Sequence, residues 1–341
     1  MLGRACQAAF LVALFLTSMG LGVVESSIHL EQVNEERRSQ GVSGAVDVPT
    51  YRIGDEWEYE TKFDVSQLLA QANVSASLNA LTGDTVNEVT DIFYATDNNG
   101  DTVLAYEIEI SGSFTSGNSG ANLEGVSGRL NIDYDGIDIL RARDLATITS
   151  DFTLDVGFAP FNIGFLEQTL GVVTFDNTYT PAKERYDFPL RNGDQWWMEF
   201  EAKTEVSGTS DYFDPTEFDS EEDENNSWQV IKNEAPVEDG ASPQYTGCDD
   251  AYKIAEWNAT GVNLGFNWYC PAVRGSVWNR IVNPAGFTID WILKTYSPAD
   301  SNSVVPSSSP GGRNTQILVS TATTATLPDA IEQVSIDYSV A

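Results

Sequence analysis

The sequence predicts a mostly β protein built on an antiparallel sheet. Three observations predict this class: segments in which apolar and polar residues alternate, turn sequences between them, and abundant aromatic residues. Aromatic residues make up 11% of the chain and hydrophobic residues 41%, which is enough for a packed core. Helical periodicity is confined to short stretches, so we expect only one or two short helices.

The chain begins with a segment whose composition is typical of a secretory signal. Arg4 precedes an apolar run over residues 8–24, and polar residues return at Glu25. The run is also long enough for a bilayer span, which needs roughly 17 to 25 residues. Residues 1–27 are therefore predicted to be a signal peptide or an N-terminal anchor. We expect the protein outside the cytoplasm, either secreted or on the cell surface.

Composition divides the remaining chain into four parts. Residues 28–50 form a polar spacer, and residues 51–297 carry the strand patterns of the predicted antiparallel β domain. Residues 298–314 are rich in Ser, Pro and Gly, which is typical of a linker. Residues 315–341 form a C-terminal tail that is too short for a domain of its own.

The charge balance is strongly acidic, with 51 Asp and Glu against 18 Lys and Arg and a net charge of -33. Such a surface repels phosphates, so no nucleic-acid partner is expected, and a membrane is a partner only through an uncleaved N-terminal segment. Adaptation to high salt is the favoured explanation, because salt screens the repulsion among the acids. Calcium-binding clusters and simple solubility are the alternatives.

The first strand signals are Trp57 and Tyr59, which alternate with glutamates. Residues 65–72 have helical spacing and predict a short helix. Residues 97–101, Asp-Asn-Asn-Gly-Asp, predict a hairpin turn; a calcium loop is the weaker alternative, since the later bidentate Glu is missing. Asp135-Gly136 predicts a second hairpin turn.

Residues 157–170 differ from their surroundings because they are apolar and interrupted by Pro160 and Gly164. They predict either a flap that covers one end of the core or the wall of an apolar ligand cleft. The candidate cleft residues are Phe158, Phe161, Phe165, Leu166 and Leu170.

A second series of strands is interrupted by the acidic stretch Asp211–Asn226. Its charge run Asp219–Glu224 predicts a solvated loop or an interaction segment. The sequence Gly-Asp-x-Trp starts at Gly54 and again at Gly193, each time before a long strand, and could mark corresponding turns in two halves of one sheet. The predicted strands of this series are 196–206, 228–231, 251–257, 262–269, 273–282 and 287–296.

Two cysteines, Cys248 and Cys270, follow the N-terminal segment. An even number in an exported chain predicts a disulfide, which stabilises by about 3 kcal/mol in the chain-entropy model. Two buried free thiols are the alternative. In an exported chain three sequons also permit N-glycosylation, at Asn73, Asn225 and Asn258.

No catalytic arrangement stands out in the sequence. The single histidine, His29, lies in the polar spacer, which argues against a His-based triad and a His-rich zinc site. No metal or cofactor is expected. We therefore expect a non-enzymatic protein that binds a hydrophobic small molecule or an envelope component. The alternatives are a carboxylate-dependent glycan hydrolase, which would need two acids at a set separation, and a purely structural envelope module.

Four short motifs occur in order over residues 51–297, and their residues are Gly54, Asp55, Tyr59, Pro189, Leu190, Gly193, Trp196, Trp268, Tyr269, Pro271, Gly275, Val277, Leu293 and Tyr296. This ordered set resembles the TapB-like family of exported proteins. The resemblance implies a curved antiparallel sheet or half-barrel, broadly similar to those of lipoprotein carriers, and it supplies no catalytic residues. Cys270 inside the third motif and the acidic insertions depart from the family pattern, so a carrier function is not implied with the fold.

Overall fold

The computed structural model describes residues 45–64, 76–123, 125–210, 214–283 and 287–300. They form one antiparallel sheet of 14 strands, and 12 of the strands close into a barrel. The short strands β2 and β5 extend the sheet beside β6 without entering the ring. The strands are β1 (Glu56–Asp64), β2 (Ala76–Leu78), β3 (Leu81–Thr96), β4 (Thr102–Thr115), β5 (Ala121–Leu123), β6 (Val126–Arg141), β7 (Thr147–Pro160), β8 (Gln168–Lys183), β9 (Gln195–Ser210), β10 (Ser220–Glu234), β11 (Ala251–Asn258), β12 (Asn263–Cys270), β13 (Gly275–Asn283) and β14 (Phe287–Ser297).

The ring is a meander in which each long strand pairs with the next long strand along the chain. The first and last strands close it, because β1 pairs with β14 from Glu56 and Ser297 to Asp64 and Thr288. A half-barrel would leave two edges of unpaired backbone groups, and closure removes them. The mostly β, antiparallel prediction is confirmed, whereas the expected open or half-closed sheet is a closed barrel.

Alternate side chains along each strand face the lumen of the barrel. The same alternation explains the acidic run Asp219–Glu224, for which the prediction of a loop is wrong. Most of the run is the start of β10, where Glu224 and Asn226 are buried and the intervening Asn225 is exposed. Residues 211–213 lie outside the described residues.

The two predicted hairpins have different outcomes. Residues 97–101 do form the turn between β3 and β4, with Gly100 at φ 88°. Asp135-Gly136 is not a turn but lies in the middle of β6, where Gly136 is paired with Phe152. A Cβ atom on Gly136 would lie 2.9 Å from the Cβ of Phe152, so the glycine makes room for an aromatic neighbour instead of reversing the chain.

The two Gly-Asp-x-Trp sequences form equivalent turns, as predicted. Gly54 N donates to Val89 O at 2.8 Å, and Gly193 N donates to Val230 O at 2.9 Å, with the two glycines at φ 90° and 89°. The turns open β1 and β9, which stand opposite each other in the ring. Five strands separate them on one side (β10 to β14) and five on the other (β3, β4, β6, β7 and β8).

One rim of the barrel is filled by the connection between β8 and β9. The rings of Tyr186 and Phe188 lie 5.3 and 5.5 Å from that of Tyr269, measured between centroids. Leu190 is fully buried and exchanges backbone hydrogen bonds with Val46. This connection therefore works as a plug that covers the lumen at this rim.

Helical structure in the described chain consists of short 3₁₀ turns, at Gly164–Leu166, Pro215–Phe218 and Pro271–Val273. The helix predicted over residues 65–72 lies outside the described residues, as do the leader, the tail and most of the spacer. Within the described ranges, none of the helices has the length and apolar character needed to span a membrane.

Candidate functional site

The barrel encloses a cavity of about 260 Å³ on the side of the lumen formed by β1, β3, β4, β6, β7 and β8 together with β12 to β14. Its volume lies just below the range of about 300 to 1,000 Å³ that is usual for small-molecule pockets. Much of the wall is apolar. The aromatic and aliphatic lining residues that matter below are Trp57, Phe63, Ile108, Ile110, Leu140, Phe152 and Trp291.

Arg185 is the only cationic side chain among the described residues that line this cavity. It belongs to the plug segment after β8. Its Nε atom is buried and has no hydrogen-bond partner, and the guanidinium forms no ion pair with any residue that the structure describes. Burial lowers the pKa of Arg185, but Glu256, Tyr179 and Asp138 outweigh this effect and raise its pKa. The guanidinium is therefore charged at every relevant pH.

Asp138 is the only carboxylate among the described lining residues. Ser150 Oγ donates a hydrogen bond to Asp138 Oδ1 at 2.5 Å. Burial raises the pKa of Asp138, while the Ser150 hydrogen bond and Arg185 partly offset the effect. The carboxylate thus has a partner from the protein, whereas the neighbouring guanidinium has none.

Polar groups also line the wall near Arg185. Burial raises the pKa of Tyr134 and of Tyr179, so both phenols stay protonated and can donate hydrogen bonds. The Oδ1 atoms of Asn87 and Asn267 are buried and accept no hydrogen bond from the described part of the chain. The cavity therefore combines apolar walls with one cation and several unused hydrogen-bonding atoms.

A second buried polar cluster lies in the lumen outside this cavity. Lys183 Nζ is 3.9 Å from Glu256 Oε1, and Asn226 Nδ2 donates to the same oxygen at 3.1 Å. Burial raises the pKa of Glu224 to about 7, with Lys183 lowering it and Glu256 and Glu222 raising it further. Since Lys183 is occupied by Glu256, it is not a second free cation for the cavity.

The five predicted cleft residues do not come together at the cavity. Phe158 and Leu170 are buried in the core, whereas Phe161, Phe165 and Leu166 are exposed at the tip between β7 and β8, Phe165 by 87%. The reason is the hairpin geometry: Phe158 and Leu170 lie on paired strands, and the other three lie in the connecting turn. None of the five lines the cavity.

The residues that carry the family resemblance have mainly structural roles. Asp55 is fully buried, and its carboxylate accepts hydrogen bonds from Arg52 N at 2.8 Å, Ala299 N at 2.9 Å and Arg274 Nη1 at 3.1 Å. It thus ties the start of β1 to the turn before β13 and to the chain after β14. Besides Asp55, the buried motif residues are Tyr59, Leu190, Trp268, Tyr269, Val277 and Leu293.

The predicted disulfide is confirmed, since Cys248 is bonded to Cys270 with their Cα atoms 6.2 Å apart. Asp250 lies beside the two sulfurs, but a disulfide sulfur is not the thiolate that a metal site requires. Of the sequons, Asn225 is exposed on the outer face of β10, and Asn258 Oδ1 accepts a hydrogen bond from Val262 N at 2.9 Å. Asn73 and His29 lie outside the described residues.

The sequence contained one signal for the cavity that the hairpin interpretation concealed. If residues 130–140 are taken as one strand, Leu130, Ile132, Tyr134, Asp138 and Leu140 fall on one face. A carboxylate on an otherwise apolar face is a candidate site residue. No comparable pattern marks Arg185, because it lies beyond the end of β8.

Comparisons with models of protein families and with curated proteins find no match. Among solved structures, the chain is similar to the crystal structure of a β-barrel-like protein of the domain of unknown function DUF1849 from Brucella abortus. The two share 10% sequence identity with a TM-score of 0.38, over 74% of this chain and 100% of that chain. The resemblance to the TapB-like family thus stays a prediction that depends on the four motifs.

Proposed function

We propose that the protein binds a small, largely apolar molecule inside the barrel, without catalysing a reaction. The observation that carries this proposal is the cavity of about 260 Å³ walled by aromatic and aliphatic side chains. Protein cores are close-packed, so an unfilled volume of this size within the barrel offers room for a small molecule. A bound molecule would remove the apolar wall from contact with water.

The carboxylate content of the cavity favours binding over glycan hydrolysis. A glycosidase needs two carboxyl groups about 5 to 9.5 Å apart on either side of the scissile bond. Asp138 is the only one among the described lining residues. Glu224 and Glu256 both face the lumen, but Asn226 donates to each of them, and they lie outside the cavity. The arrangement supports a binding role.

We further propose that binding takes place outside the cytoplasm, in a secreted or surface-held protein. The support is the N-terminal segment and the disulfide between Cys248 and Cys270, since disulfides persist in oxidising compartments. Mass spectrometry of the mature protein from its own cells tests this part. An intact segment 1–27 on a cytoplasmic protein with free thiols would contradict it.

The binding proposal is tested by a substitution that fills the cavity with a larger side chain. Ile110 lines the cavity on β4, and Ile110→Phe would put a larger side chain into the space that the ligand needs. Overpacking of this kind typically costs about 1 to 3 kcal/mol, and 1.4 kcal/mol corresponds to a tenfold change in Kd. The variant should therefore bind 1-hexanol about tenfold more weakly or worse. Ile137 is 41% exposed on the next strand of the ring, β6, where Ile110 pairs with Gly136. Ile137→Phe is therefore the matched control and should bind 1-hexanol like the unmodified chain.

Calorimetric titration gives the dissociation constants, and thermal unfolding in the same buffer shows that both variants are folded. No binding of 1-hexanol by the unmodified protein, or equal affinities for all three chains, would contradict the proposal. Mass spectrometry of an organic extract of the purified protein then identifies molecules that co-purify with it.

A further inference from the structure

The guanidinium of Arg185 is a cation in the cavity that lacks a direct partner from the described part of the chain. A buried charge is normally paired, because leaving water without compensation costs several kcal/mol. Arg185 has no hydrogen bond or ion pair within the part of the chain that the structure describes, although it lines the cavity. Glu256 and Asp138 attract the guanidinium without contacting it directly, and a group from outside the protein that supplies an acceptor would give it the hydrogen bond that it lacks.

We infer that the lumen takes an organic monocarboxylate, with the carboxylate bound by Arg185 and a small apolar body against the wall formed by Trp57, Ile110 and Trp291. This inference rests on the proposed lumenal binding and adds the class of ligand. A carboxylate matches the planar fork of a guanidinium and can accept two parallel hydrogen bonds from it.

The other charges in the lumen argue for a single negative charge on the ligand. Arg185 is the one cation among the described lining residues, and Lys183 is paired with Glu256 outside the cavity. Asp138 lies on the same wall and would repel a second negative charge. A dianionic phosphate monoester would bring two charges to one guanidinium, so a carboxylate fits better.

The two charged lining residues are unequal, and this decides between an anionic and a cationic ligand. Asp138 already accepts a hydrogen bond from Ser150 Oγ at 2.5 Å, so the protein itself satisfies part of its hydrogen-bonding capacity. Arg185 has no such contact to lose. A carboxylate therefore gains more from entering the cavity than an ammonium of the same chain length.

The net charge of -33 opposes the approach of an anion but not its final contact. At 0.1 M salt the field of exposed charges is screened beyond about 10 Å, whereas a carboxylate would contact Arg185 directly inside the lumen. Added salt is therefore expected to speed the association of an anionic ligand with this protein.

The test compares three probes with the same six-carbon chain: hexanoate, 1-hexanol and hexylammonium. The unmodified protein should bind hexanoate about 10- to 100-fold more tightly than 1-hexanol, the range for hydrogen bonds to a charged group, and hexylammonium more weakly still. Hexyl phosphate, as a fourth probe, should bind less tightly than hexanoate. Dissociation constants come from calorimetry at fixed salt and pH 7.

Arg185→Met should abolish the preference for hexanoate over 1-hexanol, and Arg185→Lys should keep part of it. Arg143, which is 69% exposed and paired with Asp144, provides the matched loss of one positive charge. Arg143→Met should bind all probes like the unmodified protein. Glu256 and Asp138 attract the guanidinium, so Arg185→Met is expected to unfold at a lower temperature than the unmodified protein, and binding is measured below that temperature.

The outcomes separate this inference from the proposal beneath it. If 1-hexanol binds and is lost in Ile110→Phe, but hexanoate binds no better than 1-hexanol, the anion inference is wrong and lumenal binding stands. If hexyl phosphate binds tightest, the carboxylate is the wrong anion. If no probe binds the unmodified protein, the proposed function itself fails.

Discussion

Several carboxylates occupy lumenal positions where the charged form is disfavoured. Glu224 is 7% exposed, and its Oε1 atom has no hydrogen-bond partner among the described residues. Its pKa of about 7 results mainly from burial, with Lys183 partly offsetting the effect. In the unfolded chain the same group titrates near its ordinary value of about 4.3. The native state therefore holds a proton at Glu224 that the unfolded state releases at lower pH.

We predict that this proton makes the native state lose stability as pH rises. The native chain binds more protons than the unfolded chain between about pH 4.5 and 7, so the free energy of unfolding falls in this window, by up to about 3 kcal/mol. Urea unfolding from pH 5 to 8 measures the fall, and Glu224→Gln should make it shallower. Burial also raises the pKa of Glu184 to about 7, so this group should maintain part of the slope. Glu221→Gln, on the exposed outer face of the same strand, should follow the unmodified chain. Parallel profiles for the unmodified chain and Glu224→Gln would contradict the assignment.

At the scale of elements, the connection between β10 and β11 is held at three points on the outside of the barrel. Cys248 is bonded to Cys270 at the end of β12. Glu238 Oε1 accepts a hydrogen bond from Trp268 Nε1 at 2.7 Å and pairs with Lys253 Nζ at 2.5 Å. Trp268 lies on the outer face of β12, since the adjacent Asn267 lines the lumenal cavity. The three contacts cover Trp268 and leave it fully buried.

We predict that the disulfide contributes measurably to the stability of the barrel. It closes a loop with a sequence separation of 22, and loops of this length contribute about 3 kcal/mol in the chain-entropy model. The double variant Cys248→Ser with Cys270→Ser should lose about 2 to 4 kcal/mol in urea unfolding. Reduction of the unmodified protein should produce a similar loss and should leave the double variant unaffected. Equal stability before and after reduction would show that the disulfide does not stabilise the barrel.

Elements were predictable from sequence where the pattern is local. Alternation found β1 and most strands after β8, and the turn at residues 97–101 was found from its own composition. Asp135-Gly136 was mistaken for a turn because glycine serves two purposes, and only the contact with Phe152 on the neighbouring strand distinguishes them. The acidic start of β10 was mistaken for a loop because burial of Glu224 depends on the closed ring.

At the scale of the whole molecule, closure of the barrel and its cavity depend on pairs that are far apart in sequence. The β1–β14 register joins Trp57 to Tyr296, which no local pattern could specify. The cavity is likewise a property of the ring, since Arg185 reaches it from the plug and Asp138 from β6. The sequence therefore predicted the mostly β, antiparallel class and the disulfide but not the cavity, which none of the five predicted cleft residues lines.

The outer face of the barrel carries the excess of negative charge. Exposed Glu201 on β9 is directly opposite exposed Asp223 on β10, an arrangement in which like charges repel. The large net charge adds repulsion over longer distances. Salt screens both, because the Debye length falls from about 10 Å at 0.1 M to about 3 Å at 1 M.

We predict that the melting temperature rises between 0.05 and 1 M NaCl. Asp223→Lys, which replaces a repelling pair by an attracting one, should stabilise by about 0.2 to 1 kcal/mol at the lower salt concentration and by less at 1 M. Calorimetric melting of both chains at both concentrations measures the effect. A melting temperature that does not change with salt would show that repulsion among the acidic side chains does not limit the stability of the protein.

The pairing of the first strand with the last has a geometric consequence for orientation. Because Glu56 faces Ser297 across that seam, the polypeptide enters and leaves the described structure on the same side. The tip with Phe161 and Phe165 projects from the opposite side. Strand β7 starts where β6 ends, with Thr147 paired to Leu140, and finishes beside the start of β6, with Pro160 paired to Gly128. Any attachment made through either flank would thus hold the molecule by one pole and direct its exposed aromatic tip outward.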